Sequence, residues 1–306
     1  MSLDIEVREL TLRYSDTVAI EDLSVRLTGG KIYGLLGRNG SGKTSLLTVL
    51  AAFRRPSSGS VLIGGEPPFE NQRITEQVCL IRDEIDTYGT TTVGKALAFA
   101  ATFRPYWDEE YAQSLVEKFN LSRTKRVSAL SRGMKSALSI TLGLASRAPL
   151  TIFDESYLGM DAPARYTFYE ELLADYLAHP RTIILSTHLI EELGSLFEEI
   201  LIIDGGRLLL HENTDTLRAK GVAVTGPVEA VDRFVATVAP GLTVLGEQQL
   251  GGTKSTTLYG QLGPGDRERA RVEGLELGPV ALQDLFVHLT RSAAGPNTSN
   301  DKEPPR

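Results

Sequence analysis

One stretch, Leu35-Leu36-Gly37-Arg38-Asn39-Gly40-Ser41-Gly42-Lys43-Thr44-Ser45-Leu46-Leu47, constrains this chain more than any other. It fits Gly-x-x-x-x-Gly-Lys-Ser/Thr, and its flanks are the ones that pattern needs. The apolar run Ile32 to Leu36 reads as a buried strand, and Lys43 to Phe53 carries apolar residues at helical spacing. The glycines therefore sit at a strand-to-helix turn. Gly37, Gly40 and Gly42 let the backbone take positive φ and approach a ligand, so that successive N–H groups face phosphate oxygens. The helix start adds the positive end of its dipole. In such a loop Lys43 reaches the outer phosphates as a point charge, and the Thr44 hydroxyl is a hard oxygen ligand for Mg²⁺.

The chain has 306 residues, 42% of them hydrophobic and 23% charged, which allows one large or two smaller globular domains. Its net charge is −7 and no long Lys/Arg run occurs, which argues against a broad electrostatic grip on nucleic acid. The one cysteine, Cys79, has no internal disulfide partner and reads as an inert strand residue. The start, Met1-Ser2-Leu3-Asp4-Ile5-Glu6, has neither the basic end nor the apolar centre of a secretory signal. No window holds the apolar run that a membrane span requires, so any membrane part is expected from another chain.

Residues 3 to 27 alternate apolar and polar, which predicts antiparallel strands before the loop, with Tyr14 at the end of one. Short strands follow at Val61 to Ile63 and Val78 to Ile81, the latter running into Arg82-Asp83-Glu84. The period then turns helical over Val93 to Phe103, Asp108 to Asn120 and Met134 to Ala145, which reads as a helical insertion. Leu150 to Phe153 and Thr182 to Leu185 are apolar runs typical of buried parallel strands, with a helix over Ala162 to Ala178 between them and a last strand at Ile200 to Ile203. This alternation predicts an α/β fold. After Gly221 short strands mix with helices near Val228 to Val238 and Ala281 to Leu289, the pattern of a small α+β domain. The last residues, Gly295 to Arg306, lack apolar side chains and are expected to be disordered.

Three further stretches carry chemistry. Asp154-Glu155 follows an apolar strand, at the carboxyl end where open α/β sheets hold ligands. Asp154 is placed to anchor Mg²⁺ through its water shell, and Glu155 to orient an attacking water. His188 follows the strand Thr182 to Leu185 and can donate a hydrogen bond to a phosphate or help orient that water. At Leu130-Ser131-Arg132-Gly133-Met134 a Ser-x-Gly turn opens a helix, so a hydroxyl and free backbone N–H groups can meet an anion together.

With these motifs in this order, residues Leu3 to Leu217 resemble the nucleotide-binding subunit of ATP-binding cassette transporters. The resemblance implies a P-loop NTPase fold with an antiparallel β subdomain and a helical subdomain at about 84–148, within a cassette of residues 1–220. The small α+β domain at 221–290 and the tail at 291–306 lie beyond it. It implies ATP and Mg²⁺ as ligands, with Gly37, Arg38, Asn39, Gly40, Ser41, Gly42, Lys43, Thr44 and Ser45 as the phosphate loop and Tyr14 stacked on adenine. Ser131 and Gly133 become the signature turn. Asp154 and Glu155 become the metal and water carboxylates, Leu158-Gly159-Met160-Asp161 the D-loop, and His188 the switch histidine.

Three departures from the family pattern stand out. Arg132 and Met134 replace the usual Gly and Gln of the signature, Ser156-Tyr157 replaces Pro-Thr, and the glutamine of the Q-loop has no evident equivalent. Counting back from Thr92-Val93 puts Asp83 in its place, where a carboxylate can touch Mg²⁺; Arg82 or Glu84 takes that place if the loop slips by one. The family pairs two cassettes head to tail through ATP, as a homodimer or heterodimer, on the cytoplasmic face of a separate transmembrane permease. The domain after Gly221, through Leu285-Phe286-Val287-His288-Leu289-Thr290, resembles the appendage of exporter-type cassettes and leans the expectation toward export. Tyr88, Phe99, Phe103, Tyr106 and Trp107 lie near the region where the family docks its membrane partner, and read as core residues ahead of contacts. The alternative is a soluble cassette ATPase acting on nucleic acid or ribosomes. Such proteins usually carry two cassettes, a long coiled coil or zinc-binding cysteines, which this sequence does not show.

Overall fold

The phosphate-loop stretch sits at the carboxyl edge of a parallel sheet, and the rest of the cassette is arranged to hold it there. The computed structural model describes residues 2–82, 89–238 and 241–293. The chain divides into two compact units, Met1–Glu212 and Asn213–Arg306, a break that falls before the 220 of the sequence reading.

The first unit opens with β1 (Ile5–Tyr14) and β2 (Thr17–Leu27), paired antiparallel, as the alternating pattern predicts. Then come β3 (Ile32–Leu36), α1 (Lys43–Leu50), β4 (Ser58–Ile63), α2 (Gln72–Thr75) and β5 (Val78–Arg82). Helices α3 (Val93–Phe103), α4 (Glu109–Lys118) and α5 (Arg132–Ala145) follow, and Thr92, Asp108 and Ser131 cap them through their side-chain oxygens. The Ser131 cap starts α5 two residues before the Met134 of the sequence expectation. The unit closes with β6 (Leu150–Asp154), α6 (Ala162–Ala178), β7 (Thr182–Thr187), α7 (Ile190–Leu193), β8 (Glu199–Asp204) and β9 (Arg207–Asn213).

Two sheets result, one of three strands ordered β2-β1-β4 and one of six ordered β5-β6-β7-β3-β8-β9. From β5 to β8 the six-stranded sheet is parallel, and β6 and β7 are buried along their length. Their apolar residues therefore run continuously instead of alternating. On one face Leu35, Ile152, Ile184 and Leu201 meet Leu46, Leu47 and Leu50 of α1 and the inward residues of the antiparallel sheet in a single core. On the other, Phe153 meets Phe168 of α6 edge-on at 5.3 Å. Gly143 of α5 comes so close to the sheet that a Cβ there would lie 2.7 Å from both Ile81 and Phe153.

The second unit contains α8 (Thr214–Lys220), β10 (Gly221–Pro227), α9 (Val228–Val238), β11 (Thr243–Leu250), β12 (Thr253–Tyr259), α10 (Pro264–Val272), β13 (Glu276–Pro279) and α11 (Leu282–Ala293). Its four strands form an antiparallel sheet ordered β11-β12-β10-β13, the split βαβ arrangement of a β-α-β-β-α-β unit. Val222, Val224 and Leu258 pack on Val231 and Phe234 of α9 and Ala270 of α10, so this unit has its own core. Strand β13 and helix α10, absent from the sequence expectation, complete it.

Candidate functional site

Register brings the chemistry together. Leu36 at the end of β3 pairs with Thr187 of β7, Asp154 at the end of β6 pairs with Ser186 of β7, and Arg82 at the end of β5 pairs with Asp154. The residues that follow β3, β6 and β7 therefore emerge along one sheet edge.

The loop after β3 is held from below. Ser41 N donates to Arg38 O at 3.1 Å, and Gly206 N, in the turn between β8 and β9, donates to Ser41 O at 2.9 Å. Gly37 admits no side chain, because a Cβ would meet Ser41 Oγ at 2.3 Å and Ile203 O at 2.5 Å. Gly40 and Gly42 have φ of 79° and 108°, as expected, whereas Gly37 is not in the positive-φ region and is required instead by the close approach of Ser41 and Ile203. Arg38, Asn39 and Gly40 form the exposed crest. Gly42 begins α1 with no side-chain cap, which leaves the first N–H groups of the helix facing outward from the turn. Thr44 is exposed and Ser45 half-buried in that first turn.

Lys43 is buried and its ammonium folds back over the loop, donating to Gly37 O at 2.8 Å and Arg38 O at 3.2 Å. It lies 3.5 Å from Glu155 Oε1, and the same oxygen lies 3.5 Å from His188 Nδ1. The three residues assigned to catalysis from sequence thus meet at one carboxylate oxygen. Glu155 reaches this position with φ of 51°, a left-handed backbone that L-residues with long side chains seldom adopt. Its N–H donates to Ser186 O at 3.3 Å, tying the bend to the strand that carries His188.

Asp154 is buried, and its Oδ1 has no hydrogen-bond partner. A buried carboxylate oxygen without a partner is costly unless it serves a cation or ordered water. Together with the Thr44 hydroxyl it offers hard oxygen ligands of the kind Mg²⁺ takes alongside substrate phosphates. Among the described residues no group of three or more His, Cys, Asp or Glu side chains converges into a metal cage. A Mg²⁺ that shares its shell with phosphates and waters needs none. Asp83 and Tyr88 fall outside the described residues.

Tyr14 lies at the end of β1, opposite Thr17, half-buried against the core. The Arg54 guanidinium sits 4.8 Å from its ring centroid. Ser131 Oγ accepts from Met134 N at 3.3 Å, and Gly133 lies against Gly159, whose O a Cβ there would meet at 3.0 Å. With Met160, Asp161 and Lys118, these two residues line a cavity of about 370 Å³ that contains none of Lys43, Asp154, Glu155 or His188.

Tyr157, one of the departures noted in the sequence, is fully buried and stacks on Phe168 at 5.7 Å. Its hydroxyl donates to Ser186 O at 3.3 Å, and burial pushes its pKa well above the ordinary tyrosine value. Sequence reasoning missed Arg165 and Glu192. Arg165 donates from Nε and Nη2 to the Glu192 carboxylate at 2.9 and 2.8 Å and from Nη1 to Met160 O at 3.0 Å, and Tyr169 OH adds a bond to Glu192 at 2.9 Å. The guanidinium holds Glu192 below the usual carboxylate range. No signal in the sequence joins these residues, which stand 27 positions apart.

Residues 20–157 match the family described as ABC transporter. The Nod factor export ATP-binding protein I of Burkholderia pseudomallei (strain 1710b) is 31% identical over 209 residues, 66% of this chain and 68% of that protein. The chain belongs to the ABC transporter family. The same-named protein of Burkholderia lata is 28% identical over 306 residues, covering 94% of this chain and 96% of its own length, and so spans both units. A solved structure titled as the ATP binding subunit of an ABC transporter superposes with a TM-score of 0.64 at 25% identity, over 70% of this chain and 91% of that one. This chain is accordingly an ATP-binding ABC subunit and an ATPase. No helix among its described residues is long and apolar enough to cross a membrane.

Proposed function

We propose that this ABC ATPase powers export through a separate membrane-spanning subunit, working as a pair of cassettes that close on ATP. The carrying observation is the meeting of Lys43 and His188 at Glu155 Oε1 beside the buried Asp154. In this reading the loop from Gly37 to Ser45 binds the phosphates, Lys43 neutralises the outer ones, and Tyr14 offers a ring face to adenine. Thr44 and Asp154 hold Mg²⁺, with Asp83 as a further candidate. Mg²⁺ held there would neutralise charge that develops on the phosphates during transfer.

Glu155 orients the attacking water, and His188 fixes the Glu155 carboxylate and donates toward the γ-phosphate. Phosphoryl transfer asks little covalent chemistry of a protein, so placement and charge carry the catalysis. The separation of Ser131 and Gly133 from this cluster supports head-to-tail pairing, in which each chain lends its signature turn to its neighbour. The export reading is supported by the relatives named for Nod factor export, one of which aligns across the second unit. Peripheral placement on the cytoplasmic face follows from this partnership.

The test is Glu155→Gln in the full chain. ATP binding persists, hydrolysis falls at least about a hundredfold through loss of general-base assistance, and the variant with ATP elutes at twice the monomer mass. Wild-type turnover removes Glu155 from its role. A monomer at every ATP concentration removes the pairing. Export itself is tested by co-purification with a membrane subunit and cargo efflux from energised vesicles.

A further inference from the structure

The contacts of Arg165 join two segments that sequence reasoning treats separately. On one side is the run from Glu155 to Asp161, which leaves β6 and enters α6. Asp161 caps that helix by accepting from Ala164 N at 3.0 Å, and Arg165 Nη1 holds the neighbouring Met160 O at 3.0 Å. On the other side is the run from Thr187 through His188 into α7. Leu189 N donates to Thr187 Oγ1 at 2.8 Å, and the short helix carries Glu192. The Arg165 fork grips both oxygens of Glu192, with Tyr169 OH as a third donor. The two side chains of the fork are only 19% and 26% exposed. A bidentate Arg–carboxylate pair fixes orientation as well as distance, which a lysine does not reproduce.

We propose that Arg165 is a positioning residue for ATP turnover, fixing His188 against Glu155 by clamping α7 to the start of α6 and to the D-loop carbonyl. His188 lies two residues before α7, so α7 cannot shift without carrying it. The D-loop is held by the same guanidinium, so the two runs that leave β6 and β7 move as one piece. The far side of that piece touches the signature turn: a Cβ on Gly159 would meet Ser136 Oγ at 2.6 Å and Arg132 Cγ at 2.9 Å. The phosphate loop meets that piece through Lys43 and Glu155, 3.5 Å apart, whereas the guanidinium itself bonds Met160 O and Glu192. Removing Arg165 therefore lowers the rate of the bound complex and leaves nucleotide affinity alone.

This inference rests on the roles proposed for Glu155 and His188, and the experiment separates the two. Full-length wild type, Glu155→Gln, Arg165→Ala, Arg165→Lys, Glu192→Gln and the Arg165→Ala/Glu192→Gln double variant are compared. Steady-state kcat and KM for MgATP, ATP affinity by calorimetry and thermal midpoint are measured for each. Misplacing a reacting group by about 1 Å costs up to about a hundredfold, so kcat is expected to fall at least about tenfold in Arg165→Ala and Glu192→Gln with KM and affinity unchanged. The double variant is expected to be no slower than either single one, because both remove the same link. Arg165→Lys stays impaired. Should Arg165→Ala fail to fold, Glu192→Gln and Tyr169→Phe carry the same comparison through milder changes.

Wild-type kcat in the clamp variants, full recovery with Arg165→Lys, strictly multiplicative losses or a fall confined to ATP affinity would each overturn the clamp. If Glu155→Gln itself turns over normally, the catalytic assignment fails. If Glu155→Gln is slow while the Arg165 and Glu192 variants are normal, only the clamp fails.

Discussion

Under the role proposed for Glu155, this residue sets stability against activity. Its φ of 51° places a non-glycine residue in the left-handed region, which costs about 1–2 kcal/mol relative to the right-handed one. The cost persists because the bend is over-determined: Glu155 N is bonded to Ser186 O, and its carboxylate faces Lys43 and His188. Glu155→Gly is expected to relieve the strain and raise stability by up to about 1 kcal/mol, offset in part by the looser unfolded chain, while ATP hydrolysis is lost. Urea unfolding and phosphate release measure the two together; a destabilised Gly variant would show that the backbone there is not strained. The loop lysine behaves differently, because Lys43 is satisfied by the carbonyls of Gly37 and Arg38 and strains nothing.

At the scale of elements, helix α6 meets the α4 and α5 helical layer through buried charge. Asp175 of α6 lies 2.7 Å from Arg181 Nη2 and 3.1 Å from Arg147 Nη2, and Arg147 also reaches Asp108, the cap of α4, at 2.7 Å. The Asp175 and Arg181 side chains are only 2% and 3% exposed, so neither charge has water to fall back on. Asp175→Ala therefore leaves the buried Arg181 guanidinium without its counter-charge, while Arg147 keeps Asp108, and is expected to cost about 3–5 kcal/mol. Denaturant titration gives the number, and a loss below about 1 kcal/mol would place the pair in the class of surface bridges. The same elements set the height of α5 over the sheet through Gly143, where a methyl would press on Ile81 and Phe153.

For the whole molecule, two separate cores predict a division of labour. Every residue proposed for phosphate binding and catalysis lies within Met1–Glu212 or outside the described residues. A chain ending at Glu212 is expected to bind ATP with the affinity of the full chain, measured by calorimetry. Weaker binding would mean that the second unit contributes to the site. The net charge of −7 adds no basic field for nucleic acid, so hydrolysis is expected to be indifferent to added DNA or RNA at moderate salt.

How much of this was legible in the sequence follows from the range of the forces involved. The phosphate loop was readable because its glycines, Lys43 and Thr44 act within a few bonds of one another, and a turn between a strand and a helix is decided locally. Asp154 and His188 were readable because strands in a parallel sheet end at a common edge, so position after an apolar run already gives location. The left-handed bend at Glu155, the burial of Tyr157 against Phe168 and the break at 212 were not readable in this way. Nor were the Arg165 clamp across 27 residues and the Arg147–Asp175 link across 28, since nothing in either segment specifies its partner. Those contacts exist only once α6 has packed against the sheet, when burial removes water and leaves each charge to the few neighbours that packing has brought within reach.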